Sequence, residues 1–269
     1  MGTASIKVLT WNILHGGGPT RTPEVLLSLV GHDADVVVLI EFRRGRGGQF
    51  RGALADRGWA HQATSGPAEG QNGILVASRT PLAPGEAAPP DLVSARRYLE
   101  VVLPAAGMRL CAAHVPDDTQ RAAKTRYWRF LLNLAERRRT EKCLIVGDFN
   151  SGRRGQDTGG APLGCEALLG QFCTLGFRDS WRVLNPSGRE NSWSDRCGSA
   201  CRIDCAFTSP ALAPALQHAV YSHVERERGY SDHSPLLVTL AVPAPHDSPA
   251  VNGLFGPADG CQRTSPRAG

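Results

Sequence analysis

Two short motifs in the chain carry side chains suited to metal binding and to proton transfer. Gly147-Asp148-Phe149-Asn150 follows the apolar run 143–146, and Ser231-Asp232-His233-Ser234-Pro235 precedes the apolar run 236–240. Both motifs therefore lie at the ends of predicted buried strands, where loops can bring them together. Carboxylate and amide oxygens are ligands that Mg²⁺ prefers, and an adjacent His–Asp pair can activate a water nucleophile. The two motifs predict a site that combines a divalent cation with an activated water.

Five further blocks extend this pattern along the chain. They are Leu9-Thr10-Trp11-Asn12, Leu39-Ile40-Glu41, Asn72-Gly73-Ile74, His114 and Arg202-Ile203-Asp204. With the first two motifs, the series resembles the endonuclease/exonuclease/phosphatase superfamily over residues 5–242. That superfamily includes exonuclease III, deoxyribonuclease I, sphingomyelinases and inositol polyphosphate phosphatases. The resemblance implies an α/β fold, a four-layer α/β/β/α sandwich of two mixed β-sheets flanked by helices, with a divalent-metal site at one end.

The resemblance also implies which residues hold the metal. Glu41 would be the principal Mg²⁺ ligand, helped by Asn12 and Asp232, and Mn²⁺ would substitute for Mg²⁺. In-line attack on a phosphodiester builds negative charge on the phosphate oxygens, which a cation and nearby donors can stabilise. The alternative for Glu41 is an ordinary solvated residue that closes an apolar strand, but the accompanying blocks favour metal binding.

The same resemblance implies the catalytic residues. Asp148 and Asn150 would orient the attacking water and hold the phosphate. His233, oriented by Asp204, would act either as a general base or as a phosphate-stabilising partner, and both roles stay open. Asp204 lies within an apolar strand, and this position supports the pairing because an uncompensated buried carboxylate is costly. His114 would contact the phosphate or protonate the leaving oxygen; its alternative is a hydrogen-bonded core histidine.

Arginines cluster around the predicted site, and two pairs directly follow Glu41 and Asn150. Only three of the 30 basic residues are lysines, which codon bias could explain, but arginine forks also suit phosphate oxygens. The candidate substrate-binding residues are Asn72, Arg97, Arg43, Arg44, Arg153 and Arg154. Asn72 could instead serve a turn. The remaining histidines, His15 among them, are expected to be surface or packing residues.

This cluster of positive charge around the predicted site favours a polyanionic substrate, and a nucleic acid backbone is the commonest polyanion. The first hypothesis is a Mg²⁺-dependent nuclease that hydrolyses DNA phosphodiesters. The second is a phosphatase or phosphodiesterase for a small or lipid phosphoester, and the third is a non-catalytic binding module that retained the fold.

The subfamily stays open because the departures point in two directions. Ile40 precedes Glu41 where many members have Gln. His114 stands where exonuclease III and abasic-site endonucleases usually carry Tyr, so this position is more similar to deoxyribonuclease I and the sphingomyelinases. The block at Asn72 and the loop 193–202 resemble exonuclease III instead.

Strands and helices predicted from the apolar pattern must position these residues. Predicted strands cover 6–13, 36–40, 73–78, 98–103, 108–115, 143–146, 202–208 and 236–242, and predicted helices cover 23–30, 50–57, 118–139 and 165–175. Continuous apolar strands, interleaved with helices and antiparallel pairs, predict mixed sheets covered by helices. Residues 1–242 are predicted to form one catalytic domain, and the Pro-, Gly- and Ser-rich tail 243–269 is expected to be disordered.

The length, charge and composition of the chain limit the classes of protein to which it can belong. Its 269 residues have a formal net charge of +5 and contain no apolar run that approaches the roughly 18 residues of a membrane span. The first ten residues have no apolar signal-peptide core. The expectation is a cytoplasmic monomer that acts on nucleic acid and has no membrane partner. The eight cysteines are too sparse for a disulfide scaffold, and the spacing of Cys197, Cys201 and Cys205 matches no common zinc pattern.

Overall fold

The apolar runs of the sequence form the central strands of two six-stranded sheets. The computed structural model describes residues 3–44, 47–89, 92, 95–159 and 162–243. The predicted tail lies outside the described residues, apart from its first residue, Pro243. Among the described residues, no helix is both long and apolar enough to cross a membrane.

Strands outnumber helices along the described part of the chain. The strands are β1 (Thr3–Asn12), β2 (Val36–Arg43), β3 (His61–Thr64), β4 (Asn72–Ser78), β5 (Ala83–Pro84), β6 (Tyr98–Leu103), β7 (Met108–His114), β8 (Cys143–Asp148), β9 (Arg178–Asp179), β10 (Trp193–Ser194), β11 (Ala200–Cys201), β12 (Asp204–Thr208), β13 (Leu216–Tyr221) and β14 (Leu236–Pro243). The helices are α1 (Gly18–His32), α2 (Gly47–Ala55), α3 (Arg121–Arg138), α4 (Glu166–Thr174), α5 (Ser180–Leu184) and α6 (Val224–Glu227).

Both large sheets are mixed. The first has the strand order β13-β14-β1-β2-β4-β3, and the second has the order β5-β6-β7-β8-β12-β9. In each sheet one central pair is parallel, β1 with β2 and β7 with β8, while the other pairs are antiparallel. The parallel pairs make neighbouring strands end at the same edge.

Three buried apolar clusters hold the layers together. Val8 of the first sheet and Val146 of the second belong to the cluster between the sheets. A second cluster packs Trp128 of α3 and Phe172 of α4 against the outer face of the second sheet. A third packs α1 and α2 against the first sheet, where Leu9 contributes to it. The predicted four-layer sandwich is therefore confirmed. Successive residues such as Val8 and Leu9 enter different cores, which explains why these strands are apolar on both faces.

The structure corrects two helix boundaries. Helix α1 begins at Gly18, not at Pro23, because the left-handed backbone of Gly17 turns the chain into the helix earlier. The predicted cap at Asp118 is also wrong. Asp117 instead accepts a hydrogen bond from the Thr119 amide and opens a short 3-10 turn that precedes α3.

Candidate active site

The strand register aligns three candidate residues at one end of the second sheet. His114 pairs with Asp148 across β7 and β8, and Asp148 pairs with Asp204 across β8 and β12. On the first sheet, Asn12 is the last residue of β1. Its side-chain amide Nδ2 donates to Asp148 Oδ2 (3.1 Å) and thereby joins the two sheets at this edge.

Glu41 is presented by an irregularity in β2. The pairing of β2 with β4 shifts register between Ile40 and Phe42, and Glu41 has a φ of 63°. A bulge of this kind re-aims a side chain, and backbone strain of this kind is typical of functional sites. Glu41 Oε1 lies 3.4 Å from Asn12 Nδ2, and Oε2 accepts from the His15 amide (2.9 Å). The strained backbone thus aims the Glu41 carboxylate at Asn12, whose amide also contacts Asp148.

The end of β8 requires glycine where it passes close to β7. Gly147 has a φ of 138°, and a Cβ there would lie 1.9 Å from the carbonyl oxygen of Ala113. Asp148 follows, with its Oδ1 accepting from the Asn150 amide (3.0 Å). Asn150 is itself left-handed, and its side-chain amide donates to Val115 O (3.0 Å). The residue types of the Gly147–Asn150 motif are therefore explained by backbone conformation as well as by chemistry.

Asp204 and His233 form a buried pair. His233 Nδ1 lies 2.8 Å from Asp204 Oδ2, and both side chains are almost completely enclosed. The Trp11 indole donates to His233 O (3.0 Å), while Ser192 Oγ accepts from the Asp204 amide (2.9 Å). The predicted Asp204–His233 contact is present, and its surroundings fix the orientation of the imidazole ring.

Burial and neighbouring charges shift the pKa values of this cluster. Burial raises the pKa of Asp148 to about 7; the positive charge of His233 opposes that rise and the carboxylate of Asp204 adds to it. Burial alone would lower the pKa of His233, but the charge and hydrogen bond of Asp204, aided by Asp148 and Asp232, raise it to about 10. Burial lowers the pKa of His114 well below its usual value, and the positive charge of Arg97 adds to this effect. The surroundings of the two imidazoles therefore act in opposite directions: they raise the pKa of His233 and lower that of His114.

Asp232 lies beside this pair. Its Oδ2 accepts from the Trp193 indole (3.0 Å), and its Oδ1 is 3.9 Å from His233 Nε2. That Oδ1 atom is buried and has no hydrogen-bond partner among the described residues. A buried carboxylate oxygen without a partner is the kind of atom that a cation or an ordered water satisfies.

The predicted substrate-binding residues divide into two groups. Asn72 Oδ1 accepts from Arg43 Nε (2.6 Å), and Asn72 Nδ2 lies 3.1 Å from His15 Nδ1, so Asn72 and Arg43 adjoin the Glu41 side of the site. Arg97 lies beside His114, with its Nη1 3.5 Å from His114 O.

The other three arginines lie in different surroundings. Arg44 is exposed and lines a surface cavity with Phe42 and Arg51. Arg153 is held against α4, where its guanidinium donates to Cys173 Sγ (3.2 Å). Arg154 is exposed, and its backbone amide donates to Glu166. The structure therefore brings Arg43 and Arg97 to the candidate residues but gives the Arg153 guanidinium a different partner.

Two residues of the site were not singled out from the sequence. His15, expected to be a surface or packing residue, places Nδ1 2.8 Å from Glu41 Oε2. Lys124 is buried and donates to Asn150 O (2.5 Å) and to Asp118 Oδ1 (2.7 Å), which fixes the turn after Asp148. Signals existed for both: His15 lies three residues after the strand-end Asn12 and precedes three glycines, and Lys124 is a rare lysine in an arginine-rich chain.

The donor set fits a divalent cation. Glu41 and Asp148 place carboxylate oxygens beside the same Asn12 amide nitrogen, and Asp232 adds the oxygen that lacks a partner. The Asn12 side-chain oxygen, expected to be a metal ligand, accepts from the Leu14 amide instead. Hard oxygen donors of this kind suit Mg²⁺ or Mn²⁺. Asp148, Asp204 and His233 also each offer a ligand atom within 4.8 Å of the others. Asp204 and His233, however, already bond to one another.

Comparisons with known proteins agree with this geometry. The profile of the Endonuclease/Exonuclease/phosphatase family matches residues 9–233. No curated protein matches the chain at a significant level.

Solved structures share the fold. The chain is similar to a variant of the 3′ phosphatase NExo from Neisseria bound to product DNA hairpin, with 25% identity, a TM-score of 0.75, and coverage of 87% of this chain and 98% of that one. An AP endonuclease from Archaeoglobus fulgidus has 19% identity and a TM-score of 0.73, with coverage of 87% and 99%. The 3′-5′ exonuclease NExo from Neisseria meningitidis has 23% identity and a TM-score of 0.73, with coverage of 87% and 98%.

Proposed function

The chain belongs to the endonuclease/exonuclease/phosphatase family, and from this premise we propose that it is a divalent-metal-dependent nuclease that hydrolyses DNA phosphodiester bonds. The observation that carries the proposal is the convergence of Glu41, Asp148 and the Asp204–His233 pair at one edge of the sandwich. These residues supply the cation ligands, the water-orienting carboxylate and the charged imidazole that phosphodiester hydrolysis needs.

We assign the cation to Glu41, with Asp232 as a supporting oxygen donor, while Asn12 positions the carboxylates through its amide nitrogen. When bound, Mg²⁺ or Mn²⁺ would neutralise the charge that develops on the phosphate oxygens. Asn12 donates to Asp148 and lies next to Glu41, so it keeps the two carboxylates in a fixed relation. Preorganisation of this kind avoids rearrangement during the reaction.

The remaining residues orient the attacking water, contact the phosphate and transfer protons. Asp148 and Asn150 orient the attacking water, and His114, whose pKa is lowered by burial, contacts the phosphate or the leaving oxygen. His233, held by Asp204, has two candidate roles. Its raised pKa supports the role of a cationic donor to the phosphate over that of the base.

DNA is the proposed substrate because the position of Arg43 beside Asn72 places positive charge at the mouth of the Glu41 side. A similar structure, the 3′ phosphatase from Neisseria, holds product DNA hairpin, which supports the same substrate class. His114 is also compatible with a second candidate function, that of a phosphatase or phosphodiesterase for a small or lipid phosphoester. We further propose a cytoplasmic monomer without a membrane partner, and light scattering after gel filtration tests the oligomeric state.

A substrate panel tests the proposed function. Duplex DNA, including substrates with a 3′ phosphate or an abasic site, is compared with inositol phosphates and p-nitrophenyl phosphodiesters, each with Mg²⁺, Mn²⁺ or chelator. We expect metal-dependent hydrolysis of DNA. Hydrolysis of small phosphoesters alone would favour the second candidate, and loss of all metal-dependent hydrolysis would indicate a binding module.

A further inference from the structure

A cavity of about 600 Å³ opens on the surface beside Asp232, and three arginines line it. They are Arg21 near the start of α1, Arg196 in the loop after β10, and Arg226 of α6. Asp232 lines the same cavity, so the cavity adjoins the candidate active site. The three arginines come from separate segments of the chain, and only the fold brings them together.

The pairing of these three arginines differs from that of others in the protein. Arg109, Arg138 and Arg202 are each paired with carboxylates. Within the part of the chain that the structure describes, the three arginines of the cavity contact backbone carbonyls or a histidine and form no salt bridge. Positive groups that share one cavity repel one another, and an anion bound among them removes this repulsion.

Arg21 is held in place without losing its charge. Its Nη1 donates to Tyr230 O (3.3 Å), and its Nη2 donates to Leu14 O (3.1 Å). Carbonyl oxygens orient a guanidinium group but do not neutralise it, and the group has five N–H donors in all. The remaining donors of Arg21 are therefore available to a ligand in the cavity.

The loop that carries Arg196 is attached to the active site. The Ser194 amide donates to Asp232 O (3.2 Å), which fixes the start of the loop. Asp195 Oδ1 accepts from the Cys197 amide (2.8 Å), so this carboxylate folds the loop back on itself. Both hydrogen bonds restrict where the loop can place Arg196.

The walls of the cavity carry an excess of positive charge. Two carboxylates, Asp195 and Asp232, stand against the three guanidinium groups. Asp195 is bonded to backbone amides, while Asp232 accepts from the Trp193 indole and is assigned to the cation. A bound cation would add to the positive charge. The cavity therefore suits an anion, and the fork of a guanidinium group matches the oxygens of a phosphate.

We propose that Arg21, Arg196 and Arg226 form a subsite for a second phosphate group of the substrate, next to the phosphate that is hydrolysed. A nucleic acid strand carries phosphates at regular spacing, so one bound strand can occupy both positions. The inference rests on the proposed function, because it takes the second phosphate to belong to a nucleic acid strand. It adds a defined contact to the positive charge that Arg43 supplies beside Asn72.

The test measures DNA binding in the presence of chelator, so that no strand is cut. Fluorescence anisotropy of a labelled duplex at several salt concentrations gives the dissociation constant and the slope of log affinity against log salt. The full chain is compared with three single Arg→Gln variants and with the triple variant. The matched control replaces Arg129, Arg137 and Arg139 with Gln, which removes the same charge from exposed positions along α3 and at its end.

The slope distinguishes one shared phosphate from three separate ones. A phosphate contacted by three guanidinium groups stays neutralised while any of them remains, so each single variant should change the slope by less than about half a unit. The triple variant should lower it by about one unit and weaken binding about tenfold to a hundredfold, and the control should keep the wild-type slope. A loss of about one unit for every arginine, or an unchanged slope in the triple variant, would overturn the inference.

A double variant guards against loss of folding, because Arg21 also holds the backbone at Leu14 and Tyr230. Arg196→Gln with Arg226→Gln leaves that support in place. This variant should weaken DNA binding about threefold to tenfold and keep the wild-type midpoint of urea unfolding. Wild-type affinity in the double variant would contradict the subsite.

The outcome is separable from that of the substrate panel. Hydrolysis of DNA by the wild type, with an unchanged salt slope in the triple variant, would defeat the subsite and leave the nuclease proposal standing. The expected slopes without hydrolysis of any DNA substrate would support the subsite and defeat the nuclease proposal. An inositol bisphosphate that binds when DNA does not, and that binds more weakly only in the triple variant, would assign the subsite to a small phosphoester and overturn its assignment to a nucleic acid strand.

Discussion

The two halves of the site differ in how far they are enclosed. In the Glu41 half (Glu41, His15 and Asn72), the Glu41 and His15 side chains are 13% and 54% exposed. In the Asp204 half (Asp204, His233, Asp148 and His114), the Asp204 and Asp148 side chains are only 2% and 3% exposed.

This difference in exposure is the basis for assigning binding and chemistry to different halves of the site. The shifted pKa values of Asp148, His233 and His114 all lie in the Asp204 half, where burial strengthens each charge interaction. The Glu41 half is the more exposed of the two. We therefore expect the Glu41 half to govern binding and the Asp204 half to govern the chemical step.

The largest effect should come from Asp204→Asn. The carboxylate of Asp204 fixes the orientation of His233 and supports its charge, so the amide should lower kcat by about 10³–10⁴ with little change in metal affinity. Steady-state hydrolysis of DNA over a range of Mg²⁺ concentrations measures both. Asp56→Asn, at an exposed position, is the control. A loss of less than about tenfold, or a loss that extra Mg²⁺ restores, would contradict the division of tasks.

Glu41→Gln should cost at least about a hundredfold in turnover, because it removes one main electrostatic ligand of the cation. A high Mg²⁺ concentration should restore part of the turnover of Glu41→Gln, but it should not restore that of Asp204→Asn. Glu69→Gln is an exposed control of the same chemistry. Near-normal turnover in Glu41→Gln, or hydrolysis that chelator does not affect, would refute the assignment of Glu41.

The fold could be predicted where burial dominates. The run 143–146 and the run 236–240 are apolar because both faces of each strand are covered, and this pattern predicted β8 and β14 correctly. Strand β13 was missed. It lies at the edge of its sheet with half of its residues exposed, so its sequence carries little of the apolar signal that marks a strand.

The site could be predicted where a strand end fixes a residue. Asp148 and Asp204 pair at strand ends of one sheet, and Asn12 ends a strand of the other sheet, so the order of the motifs was enough to bring them together. His15 could not be placed in this way. Its contact with Glu41 depends on two successive left-handed residues and a bulge in β2, and neither feature follows from apolar periodicity.

The enclosed half should also dominate the pH dependence of stability. The pKa of His233 is raised to about 10 in the folded protein from an ordinary value of 6.5. The pair therefore stabilises the fold fully below pH 6.5, and this contribution is lost as the pH rises towards 10. The paired variant Asp204→Asn with His233→Gln avoids leaving one charge unpaired.

Urea unfolding of the metal-free protein at pH 6, 8 and 10 measures this difference. The wild type should exceed the paired variant by an amount on the order of a few kcal/mol at pH 6, and the difference should shrink towards pH 10. His61→Gln, at an exposed position, should show no such trend. A difference that stays constant from pH 6 to pH 10 would show that the pair is not charged in the fold.

The smallest effects should come from the arginine pairs, which test whether the open half faces a polyanion. Replacing Arg43 and Arg44 with Ala should raise the KM for DNA and lower the slope of log affinity against log salt by about one unit for each lost phosphate contact. Replacing Arg153 and Arg154 should do the same, but less strongly, because the Arg153 guanidinium is engaged with Cys173.

Hydrolysis of a small phosphodiester should hardly change in either pair, since it needs only the metal and its immediate partners. Replacing Arg137 and Arg139, which are exposed at the C-terminal end of α3, removes the same charge elsewhere and should leave KM unchanged. If all three paired variants keep the wild-type KM and salt slope, the arginines form only a solvated surface. The Glu41 half would then fit a small phosphoester better than DNA. A long anionic backbone would contact the surrounding arginines, so their removal would have to weaken its binding.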